Sequence, residues 1–180
     1  DLFLIQSPII LTCKNATRET INSYLRDLRG VKSKLPMHGE PVICRKNNWS
    51  IECDGINLVN GLRGTVENFP DVSSRGSERN IFKIDFRQGR LLFRDVKCDY
   101  EYFNADYDDK NRLRNSPYSP GNKIELAYAI TTHLSQGSQY YSGIFIEEWL
   151  RKDVMPNLIY TGITRFSDYM IYVKRKPKFY

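Results

Sequence analysis

The chain has 180 residues, 41% of them hydrophobic and 13% aromatic, which is enough for a packed core and argues against disorder. Its net charge of +6 favours a polyanionic partner without identifying one. No apolar run approaches the roughly 18–20 residues needed to span a bilayer, and residues 2–10 lack the basic front and small-residue cleavage site of a signal peptide, so no membrane partner is expected.

Residues 8–13 (P-I-I-L-T-C) form a short apolar run that predicts a buried strand. Asn15 is placed to cap a helix running through Arg29. Ile21, Leu25 and Leu28 give that helix one apolar face, and Gly30 ends it. A strand followed by a helix is the unit of a parallel α/β sheet. After Leu35-Pro36 the texture changes. Short β-rich runs at 41–45, 64–68, 81–86 and 90–96 are broken by glycine and asparagine, with Asn60-Gly61 a tight-turn signal. They predict a small β-barrel inserted into the α/β domain, with Trp49 either in its core, as a tryptophan in a small β-module more often is, or exposed to stack on a base. Residues 72–80 read as a polar loop, and 104–123 as an exposed connection. The α/β rhythm then resumes. Strands are expected at 124–131, 143–146 and 169–173, a helical turn at 133–136, and a helix at 156–165 with Pro156 in its first turn.

Cys13, Cys44, Cys53 and Cys98 make no C-x-x-C pair, and neither His38 nor His133 stands at ligand spacing from a cysteine. No metal site is expected, and the thiols read as those of a reduced, cytoplasmic protein. The opening at Asp1 reads as the start of an excised piece.

Residues 127–138, A-Y-A-I-T-T-H-L-S-Q-G-S, resemble motif V of superfamily 1 helicases in the branch containing RecD-like and Dda-like enzymes. Residues 157–165, N-L-I-Y-T-G-I-T-R, are similar to motif VI of the same family. Residues 14–18, K-N-A-T-R, followed by Ile21-Asn22, are similar to its motif IV region. Between them, 39–48 (G-E-P-V-I-C-R-K-N-N) and 59–66 (V-N-G-L-R-G-T-V) resemble the SH3-like module those helicases carry inside their second RecA-like domain.

The resemblance implies an α/β fold: a RecA-like parallel sheet with helices on both faces, interrupted by a small SH3-like β-barrel. Residues 1–35 and 124–180 would form RecA-like domain 2, with 36–103 the insert and 104–123 the exposed connection. It implies the C-terminal motor half of an ATP-dependent helicase moving 5′ to 3′ on single-stranded DNA. Arg165 would be the arginine finger and Arg18 a second γ-phosphate sensor. Gln136 and Gly137 would line the ATP site, where glycine lets the backbone approach closely. Thr131, Thr132, His133 and Ser135 would meet the DNA, as would Asn48 in the insert, positioning a strand without reading its sequence.

Leu134 stands where the family carries lysine, Phe166 where it carries alanine, and 138–141 (S-Q-Y-Y) depart from its more acidic S-E-F-D. No G-x-x-x-x-G-K-[ST] occurs, and no Asp-Glu pair at the end of an apolar strand stands out. ATP and Mg2+ would therefore be held mainly by an N-terminal RecA-like domain of the same protein, leaving this fragment inactive alone. The other reading is a non-enzymatic nucleic-acid-binding or protein-interaction module that keeps the helicase scaffold.

Overall fold

The computed structural model describes residues 4–5, 9–70, 72–73, 80–118 and 121–174. The chain opens with β1 (Leu4–Ile5), β2 (Ile9–Thr12) and helix α1 (Asn15–Leu28). Seven strands follow among the described residues: β3 (Pro41–Cys44), β4 (Asn48–Cys53), β5 (Ile56–Leu58), β6 (Arg63–Val66), β7 (Val72–Ser73), β8 (Ile81–Gln88) and β9 (Leu91–Asp99). Helices α2 (Tyr100–Asn104) and α3 (Tyr107–Arg114) come next, then β10 (Ile124–Leu126), β11 (Ala129–Thr131) and β12 (Gln139–Ile146). Helix α4 (Met155–Ile163) and β13 (Phe166–Val173) close the described chain. The whole divides into two compact units, Asp1–Leu25 with Tyr128–Tyr180, and Arg26–Ala127.

The first unit is a parallel sheet. β2 pairs with β11 on one side and β12 on the other, so that Leu11 is level with both Ile130 and Phe145. β12 in turn pairs with β1 and β13, all parallel. Strands from the two ends of the chain thus merge into one sheet. Ile9, Leu11, Ile130, Tyr140 and Phe145 are fully buried in it. Two glycines permit the close packing. A Cβ on Gly143 would lie 2.2 Å from Ile9 O, and one on Gly162 would lie 2.3 Å from the Phe145 ring, so α4 approaches β12 only because that position has no side chain.

Helix α1 departs from the expected pattern. Its first helical hydrogen bond is accepted by Lys14 O from Arg18 N, one residue before the expected cap. Its buried residues are Arg18 and Asn22, whereas Ile21 and Leu25 are half-buried and Leu28 is 69% exposed. Asn22 explains this, because it donates to Ala129 O and accepts from Ala129 N, taking the place of a strand neighbour at the edge of β11. Two buried side-chain-to-backbone hydrogen bonds thus fix which face of the helix meets the sheet.

The second unit is antiparallel. Its sheet runs β10–β3–β6–β8, with β7 and β9 also beside β8, and β4–β5 form a separate hairpin. Val42, Val66, Phe82, Ile84, Phe86 and Val96 lie in its core. The sheet does not close into a barrel among the described residues; a single parallel bridge, Cys98 to Asn122, is the nearest approach to closure. Trp49 takes the exposed alternative, at 69% on β4. Several expectations fail here. The expected polar loop at 72–80 begins with β7, and residues 74–79 lie outside the described set. The expected connection at 104–123 contains α3, which Asp106 caps by accepting from Asp109 N at 2.9 Å. The single strand expected at 124–131 is two strands, β10 serving the second unit and β11 the first.

Candidate functional site

The 132–138 turn after β11 carries most of the sequence candidates. Thr131 Oγ1 accepts from Leu134 N at 3.4 Å. Thr132 donates to Thr12 O through both its N–H and its hydroxyl, at 2.8 and 3.1 Å. Ser135 Oγ donates to Thr132 O at 2.7 Å. All three residues are buried, so their hydroxyls hold the turn closed. His133, Gln136 and Gly137 are the exposed members. Gly137 has φ +83°, the left-handed conformation that lets the chain reverse toward β12.

Arg165 joins this turn from the far end of the sequence. It directly follows α4, and its carbonyl accepts from Tyr140 N at 2.8 Å as β12 and β13 begin to pair. Its Nε donates to Thr161 O at 3.2 Å, as a cation at a helix C-terminus does. Its Nη1 donates to Ser138 O at 3.3 Å, which ties the guanidinium to the end of the turn. Nη2 reaches Thr164 Oγ1 at 3.4 Å. Arg165 is half-buried and its partners are neutral oxygens, with no ion pair among the described residues. Gln136, Gly137 and Arg165 are thus brought to one region.

Arg18 is placed differently. It is 2% exposed and its Nη2 pairs with Glu19 Oε1 at 3.0 Å. It lies just beyond the C-terminal end of β2, whereas Arg165 precedes the N-terminal end of β13. In parallel strands these are different levels, so the two arginines do not sit side by side. Asn48 belongs to the second unit, where its side chain bonds Asn122 and Ser50 and fixes the start of β4.

Glu147 and Glu148 were absent from the sequence candidates, although an acidic pair straight after an apolar strand was a visible signal. Both are buried. Glu148 accepts from Cys13 N at 2.8 Å, Lys14 N at 2.7 Å and Thr17 Oγ1, filling the N-terminal end of α1 with a carboxylate. Glu147 accepts from Tyr172 OH; burial, then this carboxylate, pushes the Tyr172 phenol up to about 12.

Chemically, a guanidinium with no ion pair among the described residues, bonded to the end of the turn that carries Gln136 and Gly137, suits an anion with several acceptor oxygens. Among the described residues no group of three or more His, Cys, Asp or Glu could hold a metal ion, and no helix is long and apolar enough to cross a membrane.

No protein-family model matches the chain, and no curated protein matches it significantly. Solved structures do. A structure of two coordinating Pif1 helicases at forked double-stranded DNA aligns with TM-score 0.55 and 18% identity, covering 92% of this chain and 38% of that one. Pif1 helicase from Bacteroides, in complex with ADP-AlF3 and single-stranded DNA, aligns with TM-score 0.55 and 17% identity over 96% of this chain and 41% of that one. Pif1 helicase from Candida albicans aligns with TM-score 0.51 and 14% identity over 97% and 48%. These neighbours are helicases. The chain spans less than half the length of each, and at these identities the likeness is one of fold: an α/β, RecA-like arrangement on a parallel sheet.

Proposed function

We propose that this chain forms the second RecA-like half of a superfamily 1 DNA helicase, an ATP-driven translocase on single-stranded DNA. The fold likeness to Pif1 helicases supports the reading. One observation carries it: the Arg165 guanidinium is held by neutral oxygens against the end of the 132–138 turn, with no ion pair among the described residues. Phosphoryl transfer spreads negative charge over the phosphate oxygens, and a guanidinium delivered there is worth on the order of 10³–10⁵ in rate.

In this reading Arg165 is that cation, Gln136 and Gly137 border the nucleotide, and Arg18 acts as a second sensor after releasing Glu19. His133 contacts the strand's phosphates, presented by a turn that Thr131, Thr132 and Ser135 hold shut, while Asn48 supports the insert's contact. ATP and Mg2+ are held mainly by an N-terminal RecA-like domain, with residues 36–103 an SH3-like insert and 1–35 with 124–180 the RecA-like domain itself. The test uses the full-length protein containing this chain. Arg165→Ala should cut DNA-stimulated ATP turnover by about 10³-fold or more while nucleotide affinity stays nearly constant. Unchanged turnover would remove the assignment.

A further inference from the structure

We propose that the β4–β5 hairpin is a docking site for an arginine-bearing segment of a partner protein, with Trp49 the surface on which a guanidinium stacks and Glu52 and Asp54 its counter-charges. Trp49 is 69% exposed, and the strand is built to expose it. Side chains alternate along a strand, so Trp49 would belong with Ile51 and Cys53, which pack against the core of the unit. A bulge prevents this. Asn48 is level with Leu58 and Glu52 with Asn57, so four steps of β4 span one step of β5. Side chains lock the bulge. Asn48 Oδ1 accepts from Ser50 N at 3.0 Å and from Ser50 Oγ at 2.6 Å, and Asn57 Nδ2 donates to Trp49 O at 3.3 Å. Asn48 Nδ2 donates to Asn122 Oδ1 at 2.8 Å, which anchors the hairpin to the segment before β10. The ring is held outward on a braced backbone, so docking orders little that is not already ordered.

The hairpin is acidic in a chain of net charge +6. From Asn47 to Leu62 there is no lysine or arginine, while Glu52 and Asp54 are exposed. Elsewhere Glu67, Asp109 and Asp153 each meet an arginine. Glu52 and Asp54 make no ion pair among the described residues, although the exposed Arg94 stands on β9, which runs beside the hairpin where Cys53 Sγ donates to Leu92 O at 3.6 Å. Glu52 is close to Trp49 across the hairpin, since its register partner Asn57 is the residue that bonds Trp49 O. Two carboxylates without cations disfavour a phosphate backbone over Trp49 and favour a positive group there. Arginine fits better than lysine. Its planar guanidinium stacks on an indole face and still donates to a carboxylate, whereas an ammonium is a more strongly hydrated point charge.

The docking site shares no residue with the Arg165 turn, so either can fail without the other. The full chain would be titrated, by fluorescence anisotropy, with a labelled glycine-rich peptide bearing arginines, with its lysine and citrulline counterparts, and with a labelled oligothymidylate. The arginine peptide should bind most tightly and the citrulline peptide least. Trp49→Ala should weaken the arginine peptide about 10-fold and leave the oligothymidylate unaffected, with Trp49→Phe recovering part of the loss. Glu52→Gln combined with Asp54→Asn should weaken the arginine peptide about 3-fold and flatten its salt dependence. That double variant changes two exposed side chains and no packing, so it decides the matter even if Trp49→Ala fails to fold. The proposal is overturned if either variant binds the arginine peptide as the wild type does, or if the citrulline peptide binds as well as the arginine one. Loss of oligothymidylate binding on Trp49→Ala, with peptide binding unaltered, would make the ring a base-stacking surface and sink the protein-docking assignment.

Discussion

In the second unit Lys123 and Asp99 meet at 2.7 Å with about 1% exposure each, and Glu125 accepts from Tyr102 OH at 2.6 Å with Arg45 and Arg114 beside it. In the first unit Arg165 rests on carbonyl and hydroxyl oxygens, one of them Ser138 O at the end of the turn that carries exposed Gln136 and Gly137. In that cluster of the second unit charge is consumed internally, and even the Tyr102 phenol is pushed well up, by burial first and then by Glu125. Charge at Arg165 is left open. Cations that the fold has neutralised hold the chain together, whereas a half-buried cation bonded only to neutral oxygens is the kind of group the proposed function assigns to an anion.

The comparison can be broken at several points. The largest effect belongs to Arg165→Ala, where turnover should collapse while the melting temperature moves little. If the melting temperature collapsed instead, Arg165 would be structural like its counterparts in the second unit. Lys123→Met tests the opposite side. It leaves the Asp99 carboxylate buried without its cation, and chemical denaturation should report a loss of about 3–5 kcal/mol. Gly162→Ala should cost about 1–3 kcal/mol, because the new methyl meets the Phe145 ring at 2.3 Å. A wild-type denaturation midpoint would show that α4 packs less closely than described.

The smallest effect is in alkali. Burial pushes the Cys44 thiol from 9.0 up to about 11. Between those pH values the unfolded chain has released a proton that the folded chain keeps, so stability falls as pH rises, by about 2 kcal/mol for this group. Cys44→Ala should flatten that part of a stability–pH profile, and an unaltered slope would refute the cause.

Much of the architecture was legible because its segments obey one period at a time. The apolar run of β2, the alternating runs of β8 and β9, and the Pro156 start of α4 each state their structure locally. Three features hid for physical reasons. Helix α3 has no buried residue, so its evidence was capping and charge order: Asp106 at the start, Arg112 and Arg114 in the last turn. The run from Ile124 to Thr131 is apolar apart from Glu125 and the terminal Thr131, yet consecutive pieces pair in different sheets, which periodicity does not encode. In α1 the buried positions are polar, because Asn22 completes the edge of β11 and Arg18 lies inside. At the candidate site, the resemblance to helicase motifs pointed to Gln136, Gly137 and Arg165; Arg165 bonds Ser138 O, which directly follows Gly137 in the chain. The structure also turns the hydroxyls of Thr132 and Ser135 inward, a choice made by the carbonyls of Thr12 and Thr132 rather than by any local pattern.

The parallel sheet has one further consequence, in time rather than space. Between β2 and the strands that pair with it, β11 and β12, the whole of residues 26–127 must be synthesised. The antiparallel unit is contiguous in sequence and can complete itself first, whereas the unit bearing Arg165 must close a long loop before any strand pairing repays the lost freedom. The Arg165 turn therefore follows the antiparallel unit in the order of synthesis.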